Sequence, residues 1–160
     1  MSYRIGLGTD FHQLAEGRRL FLGGVEIPHG KGAVGHSDAD VLLHAISDAL
    51  LGALSLGDIG IHFPDTDKNL KDIDSKILLE KTFQLIREKG WSIVNLDTVV
   101  CLEKPKIMEY TAQMRSVIAR LLEIGHGDIS IKATTTEKLG FIGKEEGIMA
   151  QAVVLLRKPD

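Results

Sequence analysis

The chain has 160 residues, 44% of them hydrophobic and 26% charged, with a net charge of −3. That is the size of one globular domain that buries roughly two-thirds of its unfolded surface. One cysteine, Cys101, excludes an internal disulfide framework and suits a reducing cytoplasm, while 5% aromatics and a negative charge exclude a nucleic-acid footprint. No apolar stretch reaches the roughly 20 residues of a membrane span, and Met1 to Gly6 does not read as a secretory or transit segment. Eleven of the 17 glycines fall in the first 60 residues, and four of the six histidines lie between His12 and His44. The N-terminal third is therefore where the chemistry is expected.

Tyr3 to Thr9 reads as a short strand ending at Asp10-Phe11-His12. Arg19 to Leu22 and Val25 to Ile27 flank Gly23-Gly24 and read as a hairpin; Pro28 to Gly32 is a loop by composition. Ser37 has the character of a helix N-cap, with Asp38 and Asp40 in the first turn, where carboxylates suit the dipole. Val41, Leu42, Ala45, Ile46, Ala49, Leu50 and Ala53 recur at helical steps and predict an amphipathic helix to about Leu54. Gly57 to Gly60 and Phe63 to Asp67 form a long polar loop, a kind that is usually functional or mobile. A second helix is expected from near Ser75 to a stop at Gly90, then a β-branched strand from Trp91 to Leu102. A third helix from Met108 to Ile124 would be stopped by Gly125, and Ile129 to Thr134 and Ile148 to Leu156 complete the strands. With no repeat or linker, residues 1–160 read as one domain. Helices follow helices and strands follow strands, which favours an α+β fold, a mixed sheet layered with helices, over a doubly wound one.

Asp10 and His12 stand at i and i+2 of a strand, so their side chains share a face. A carboxylate and an imidazole with one further ligand make a three-ligand zinc site with an open position. His44, on the first helix, is the candidate third ligand. Asp40 and Asp48 lie one turn to either side of it, placed to accept its other ring N–H and fix the tautomer. The alternative is structural: Asp-x-His pairs arise by chance, and His44 could be a buried histidine satisfied by Asp48.

Gly35-His36-Ser37-Asp38 precedes a helix, where free N–H groups and the dipole favour an anion. His36 and Ser37 would then hold a phosphate; the alternative is plain capping by Ser37. Lys132 to Lys138 carries Thr134-Thr135-Thr136 and Glu137, able to cradle phosphate oxygens and hold a hard cation. Equally, the threonines could serve β propensity in a strand leaving the sheet. Glu103 to Lys106 is a basic turn, open to phosphate or to solvent. Cys101 reads as a small core residue.

These blocks together, namely Asp10-Phe11-His12, Ile27-Pro28, His36 to Asp40 with His44, Gly57 to Gly60, Phe63 to Asp67 and Lys132 to Phe141, resemble the 2-C-methyl-D-erythritol 2,4-cyclodiphosphate synthase family. The match runs in order from about Arg4 to Leu156. The resemblance implies a homotrimer with active sites between neighbouring subunits, acting in the non-mevalonate isoprenoid pathway. The substrate it implies is 4-diphosphocytidyl-2-C-methyl-D-erythritol 2-phosphate, whose 2-phosphate attacks the β-phosphorus, expels CMP and closes a cyclic diphosphate. Such chemistry needs alignment and charge neutralisation more than covalent help.

By the same resemblance, Asp10, His12 and His44 hold zinc or manganese, and Glu137 holds magnesium or manganese with the diphosphate. His36 and Ser37 would grip the attacking phosphate, and His36 and Thr135 would stabilise the transition state. Asp58, Ile59 and Gly60 would meet the sugar portions, and Phe63, Pro64, Asp65, Thr66 and Asp67 the methylerythritol side. Leu102, Glu103, Lys104, Pro105, Lys106, Ile107 and Met108 would form the cytidine pocket, walled by Thr134, Thr135 and Thr136. Phe141 and Lys144 are carried as further substrate contacts. Leu7 and Thr9 depart from residues frequent in the family. Lys144 stands where arginine is frequent, and lysine lacks the bidentate fork. Glu103 stands where a small or neutral residue is frequent, and its charge is expected to face solvent. The rival readings are a metal-dependent phosphohydrolase and a non-enzymatic carrier of isoprenoid diphosphates. The resident metals, an isoprenoid on the threefold axis and proton-transfer roles for Asp40, Asp48 and Asp65 stay open.

Overall fold

A computed structural model describes residues 1–64, 66 and 73–159. The first strand, β1 (Ser2–Glu16), is twice the expected length. Asp10 to Glu16 has little strand propensity of its own, and pairing carries it. β1 runs antiparallel to the last strand, β7 (Gly147–Lys158), from Ser2 opposite Lys158 to Gln13 opposite Gly147. Its end pairs with β4 (Lys31–Val34), which composition alone presents as loop. Tertiary pairing overrides weak local preference here. β2 (Leu20–Leu22) and β3 (Val25–Ile27) form the expected hairpin, with φ of 58° and 75° at Gly23 and Gly24. Both central residues of such a two-residue turn need positive φ.

β5 (Ser92–Cys101) and β6 (Ile129–Thr134) are parallel, and every other pairing in the sheet is antiparallel. The order is β4-β1-β7-β5-β6, a mixed sheet. Helices α1 (Val41–Ala53), α3 (Ser75–Glu88) and α4 (Thr111–Leu122) pack over it, with short α2 (Ile59–His62) and α5 (Gly140–Gly143) in connections. This is the expected α+β class. One contiguous apolar core joins the inner sheet face to α1, α3 and α4. No helix among the described residues is long and apolar enough to cross a membrane.

α1 is buried nearly all round, Leu43 and Leu51 included, because the sheet lies on one side and α3 on the other. Its contact with β1 is backbone against backbone. A Cβ at Gly6 would stand 1.8 Å from the Ala49 carbonyl oxygen, and one at Gly8 1.9 Å from that of Ala45. Gly6, Gly8, Asp10 and His12 alternate onto this inner face. The opposite face leaves Tyr3, Ile5, Leu7, Phe11 and Val153 between 44% and 73% exposed.

Two helix ends differ from expectation. Asp40, not Ser37, caps α1: its carboxylate accepts from Leu43 N–H at 3.1 Å and from the Gly23 and Gly24 N–H groups at 3.0 and 2.7 Å. Ala39 takes φ of 56°, so the chain is not helical before Asp40. The third helix begins as a 3₁₀ turn over Met108–Tyr110 and stops at Glu123, at φ 53°, rather than at Gly125.

Replacing Gly8 by alanine forces β1 away from α1. We expect a loss of at least about 1–3 kcal/mol in denaturant unfolding, with Ala152→Gly, a truncation on the same sheet face, as the size-reducing comparison.

Candidate metal centre and its neighbouring pockets

β1 delivers Asp10 and His12 to the inner face at the point where the N-terminal turn of α1 delivers His44. Asp10 Oδ2 lies 2.9 Å from His12 Nε2 and 3.0 Å from His44 Nδ1, and the two ring nitrogens are 3.3 Å apart. A cation about 2.0–2.2 Å from each of three such donors sits over a triangle with edges of about 3.3 Å. The donor set therefore fits a tetrahedral ion with one position open toward the cleft. These three are the one cluster of metal-ligating groups among the described residues.

The orientation of each ring is set from behind. His12 Nδ1–H donates to the Val34 carbonyl at 2.9 Å, so Nε2 faces the site. His44 Nε2 lies 2.9 Å from Ser75 Oγ and 3.2 Å from Ser37 Oγ, so Nδ1 faces the site. Neither expected carboxylate does this. Asp40 is wholly buried at the α1 cap, where burial raises its pKa against three N–H donors. Asp48 accepts from Ile59 N–H at 2.8 Å, and burial holds its pKa above the ordinary range. Ser75, which supports His44, was expected only as a helix start; nothing in the sequence ties it to a residue 31 positions away.

A cleft of about 280 Å³ opens over the cluster, lined by His36, Ser37, Ile59, Gly60, Phe63, Ile73 and Leu78 beside the three ligands. Ile73 and Leu78 escaped the sequence reading because α3 reaches the cleft only through packing. His36 is half-buried, and its Nε2 is sequestered without a hydrogen-bond partner among the described residues. Ser37 Oγ accepts from Ala39 N–H at 3.1 Å. Asp58 caps α2, accepting from Ile61 N–H at 3.1 Å. Pro64 and exposed Thr66 do not line the cleft. Asp65 and Asp67 lie outside the described residues.

A second pocket, of about 180 Å³, is lined by Leu102, Glu103, Pro105, Lys106, Ile107, Met108, Ala133, Thr134 and Thr135. Glu103 does not simply face solvent: its Oε2 is buried and has no partner among the described residues. Lys104 is outside the lining and pairs with Glu145 at 3.2 Å. Glu137 is exposed, at φ 53°, and accepts from Thr135 Oγ1 at 3.2 Å. Thr136 Oγ1 donates to the Leu139 carbonyl at 2.7 Å. Phe141 packs on Phe11, ring centroids 6.2 Å apart, and exposed Lys144 ends α5; neither lines either pocket. Cys101 is buried, and burial pushes its thiol pKa up, as a core residue requires.

The two pockets are not joined in one chain. Phe11 is opposite Met149, Met149 opposite Cys101, and Cys101 opposite Thr134. Three strand spacings of about 4.8 Å put the β1 cluster roughly 14 Å from Thr134.

Burial works to raise the Asp10 pKa, but the hydrogen bonds and charges of His12 and His44 outweigh it and hold the carboxyl well below the usual range. Burial likewise lowers His12, yet Asp10 and the Val34 carbonyl raise it on balance. A raised folded-state pKa contributes stability below the unfolded value of about 6.5 that is lost as pH rises through the folded value. A cation needs Nε2 unprotonated. The increase in melting temperature on adding zinc to metal-free protein should therefore grow as pH rises from about 6.5, with proton release in calorimetry.

The YgbB family model matches residues 3–157. A Fusobacterium nucleatum protein named 2-C-methyl-D-erythritol 2,4-cyclodiphosphate synthase is 59% identical over 155 residues, 97% of each chain. A Shouchella clausii protein of the same name is 59% identical over 98% of this chain and 99% of its own. Among solved structures, the bifunctional IspDF of Campylobacter jejuni superposes with a TM-score of 0.95 at 43% identity, over 99% of this chain and 43% of that longer one. The Plasmodium falciparum IspF CDP complex gives 0.87 at 36% identity, over 99% of this chain and 98% of the other. With its sequence matched over residues 3–157 and its fold reproduced, the chain belongs to the YgbB family.

Proposed function

We propose that the protein cyclises 4-diphosphocytidyl-2-C-methyl-D-erythritol 2-phosphate to 2-C-methyl-D-erythritol 2,4-cyclodiphosphate with release of CMP, in the non-mevalonate isoprenoid pathway. The observation that carries this reading is the convergence of Asp10, His12 and His44 in an open cleft of a YgbB-family chain. An oxygen of the substrate's 2-phosphate bonds to the β-phosphorus, the bond from that phosphorus to the bridging oxygen breaks, and CMP departs with the electron pair. Both partners are anions, and the chain itself carries net charge −3. Zinc or manganese held by Asp10, His12 and His44 would supply positive charge and polarise a phosphoryl oxygen.

The chain's own groups do the rest. His36 lines the cleft beside Ser37 and would donate to the attacking phosphate, and Ser37 keeps its hydroxyl proton for the same group. Fixed donors of this kind stabilise charge developing in the transition state. Ile59, Gly60 and Phe63 exclude water around the sugar portion. Asp58 is assigned to the sugar portions in this reading, and Pro64, Asp65, Thr66 and Asp67 to the methylerythritol side. The second pocket takes the cytidine, as the CDP complex of the Plasmodium falciparum relative supports. There Glu103, which lines the pocket, would offer its carboxylate to the exocyclic amine of cytosine. Thr135 stabilises the leaving side, Glu137 holds magnesium or manganese with the diphosphate, and Phe141 and Lys144 lie at the rim.

The roughly 14 Å between cleft and pocket supports a site completed by an adjacent copy. The exposed apolar face of β1 and β7 supports the packing surface, since patches of this kind mark interfaces. A homotrimer, each copy one catalytic domain, is the assembly we assign. The compartment we assign is the cytoplasm, in keeping with one free cysteine.

With zinc or manganese plus magnesium, the purified protein should release CMP, and phosphorus NMR should show a cyclic diphosphate. His44→Ala should lower turnover by about a thousandfold, an electrostatic loss of the size a key transition-state group contributes. No CMP above that variant sinks the reading; CMP without a cyclic product would make the protein a phosphohydrolase. In sedimentation, the native mass should be three times 17.5 kDa, and Leu7→Asp should shift it to the single chain with the metal ligands intact.

A further inference from the structure

The site leaves one question of its own: what holds His44, given that Asp40 and Asp48 are engaged elsewhere. We infer that Asp38 and Ser75 form a positioning relay that locks the His44 ring with Nδ1 toward the cation, an inference that rests on the metal reading above. The chain of contacts is continuous. His44 Nε2–H donates to Ser75 Oγ at 2.9 Å. Ser75 Oγ–H donates to Asp38 Oδ1, and Ser75 N–H donates to Asp38 Oδ2 at 3.1 Å. Both carboxylate oxygens thereby accept from Ser75, and Oδ1 also accepts from Asp40 N–H at 3.2 Å. The hydroxyl proton is drawn toward Asp38, which turns a lone pair of Oγ to the imidazole. Ser75 is wholly buried, so no water substitutes for it at that distance.

The relay spans three parts of the chain. Asp38 lies in the loop before α1, His44 on α1 and Ser75 at the start of α3. Its chemistry is the carboxylate–histidine–metal arrangement with a hydroxyl interposed, and outer partners of this type set ligand orientation and basicity. Ser37 Oγ, at 3.2 Å, is a weaker second acceptor for the same N–H. The role is positioning, because neither Ser75 nor Asp38 touches the three-donor triangle.

Ser75→Ala is a clean probe. Asp74, not Ser75, caps α3 by accepting from Lys76 N–H at 2.9 Å, and the Ser75 N–H bond to Asp38 survives the change. Metal-free full-length protein is titrated with zinc against a competing chromophoric chelator at neutral pH. Ser75→Ala should bind zinc about 10–100-fold more weakly, the range for outer-partner loss, and Asp38→Asn should weaken it in the same direction. Cobalt(II) in place of zinc should show an altered ligand-field band in both variants, while saturating zinc restores turnover. Unchanged zinc affinity in Ser75→Ala overturns the relay, as does a loss confined to the stability of the metal-free protein. If Ser75→Ala does not fold, Asp38→Asn decides between the same two outcomes. A wild-type chain that binds zinc no better than His44→Ala overturns the metal reading itself.

Discussion

The close approach of β1 to α1 governs the rest of the structure. Gly6 and Gly8 present no Cβ, so the strand lies directly on the helix carbonyls of Ala49 and Ala45. A strand and a helix normally meet through side chains, at a separation that would carry His44 out of reach of Asp10. Here the missing side chains bring the backbones together, and the alternation of β1 sends Asp10 and His12 to the same face one and two pleats further on. The metal cluster is a geometric consequence of that contact. It also explains why α1 carries alanine at 45, 49 and 53, where longer side chains would hold the elements apart.

Around that contact, the polar groups sort by which backbone donors reach them first. Asp40 is taken by the α1 cap and the β2–β3 turn, Asp48 by the start of α2, and Asp38 by Ser75. The result is that each carboxylate near the cluster is committed, and Asp10 alone faces the imidazoles. Its anionic form is held by His12 and His44, and Asp10 in turn raises the pKa of His12 against the opposing effect of burial.

The net charge of −3 acquires a meaning that composition does not supply. A protein handling a triply phosphorylated anion would be expected to offer a basic pocket. The cleft instead offers two imidazoles, one carboxylate and a histidine nitrogen with no partner among the described residues, a donor set that suits a cation. The second pocket is mostly apolar, with one unpartnered carboxylate oxygen, a composition suited to a base rather than to phosphate. Their separation across three strands divides the two chemistries.

The sequence by itself determined the helices α1 and α3, the strands β2, β3, β5, β6 and β7 within a few residues, and the α+β class, because periodicity and turn residues are local properties. It also marked Asp10, His12 and His44, since an i, i+2 pair and a helix histidine amid carboxylates are visible in the linear order. Only the tertiary structure decided which carboxylates serve the histidines, because Asp38 acts through Ser75, a residue 37 positions on. Only it lengthened β1 and created β4, whose Gly-Ala core has no strand preference until it pairs. It turned Glu103 inward, capped α1 with Asp40 and set Glu137 in the open, each through contacts between distant segments. Local chemistry is written in neighbouring residues; the partner of a buried polar group is chosen by the packing that brings it within reach.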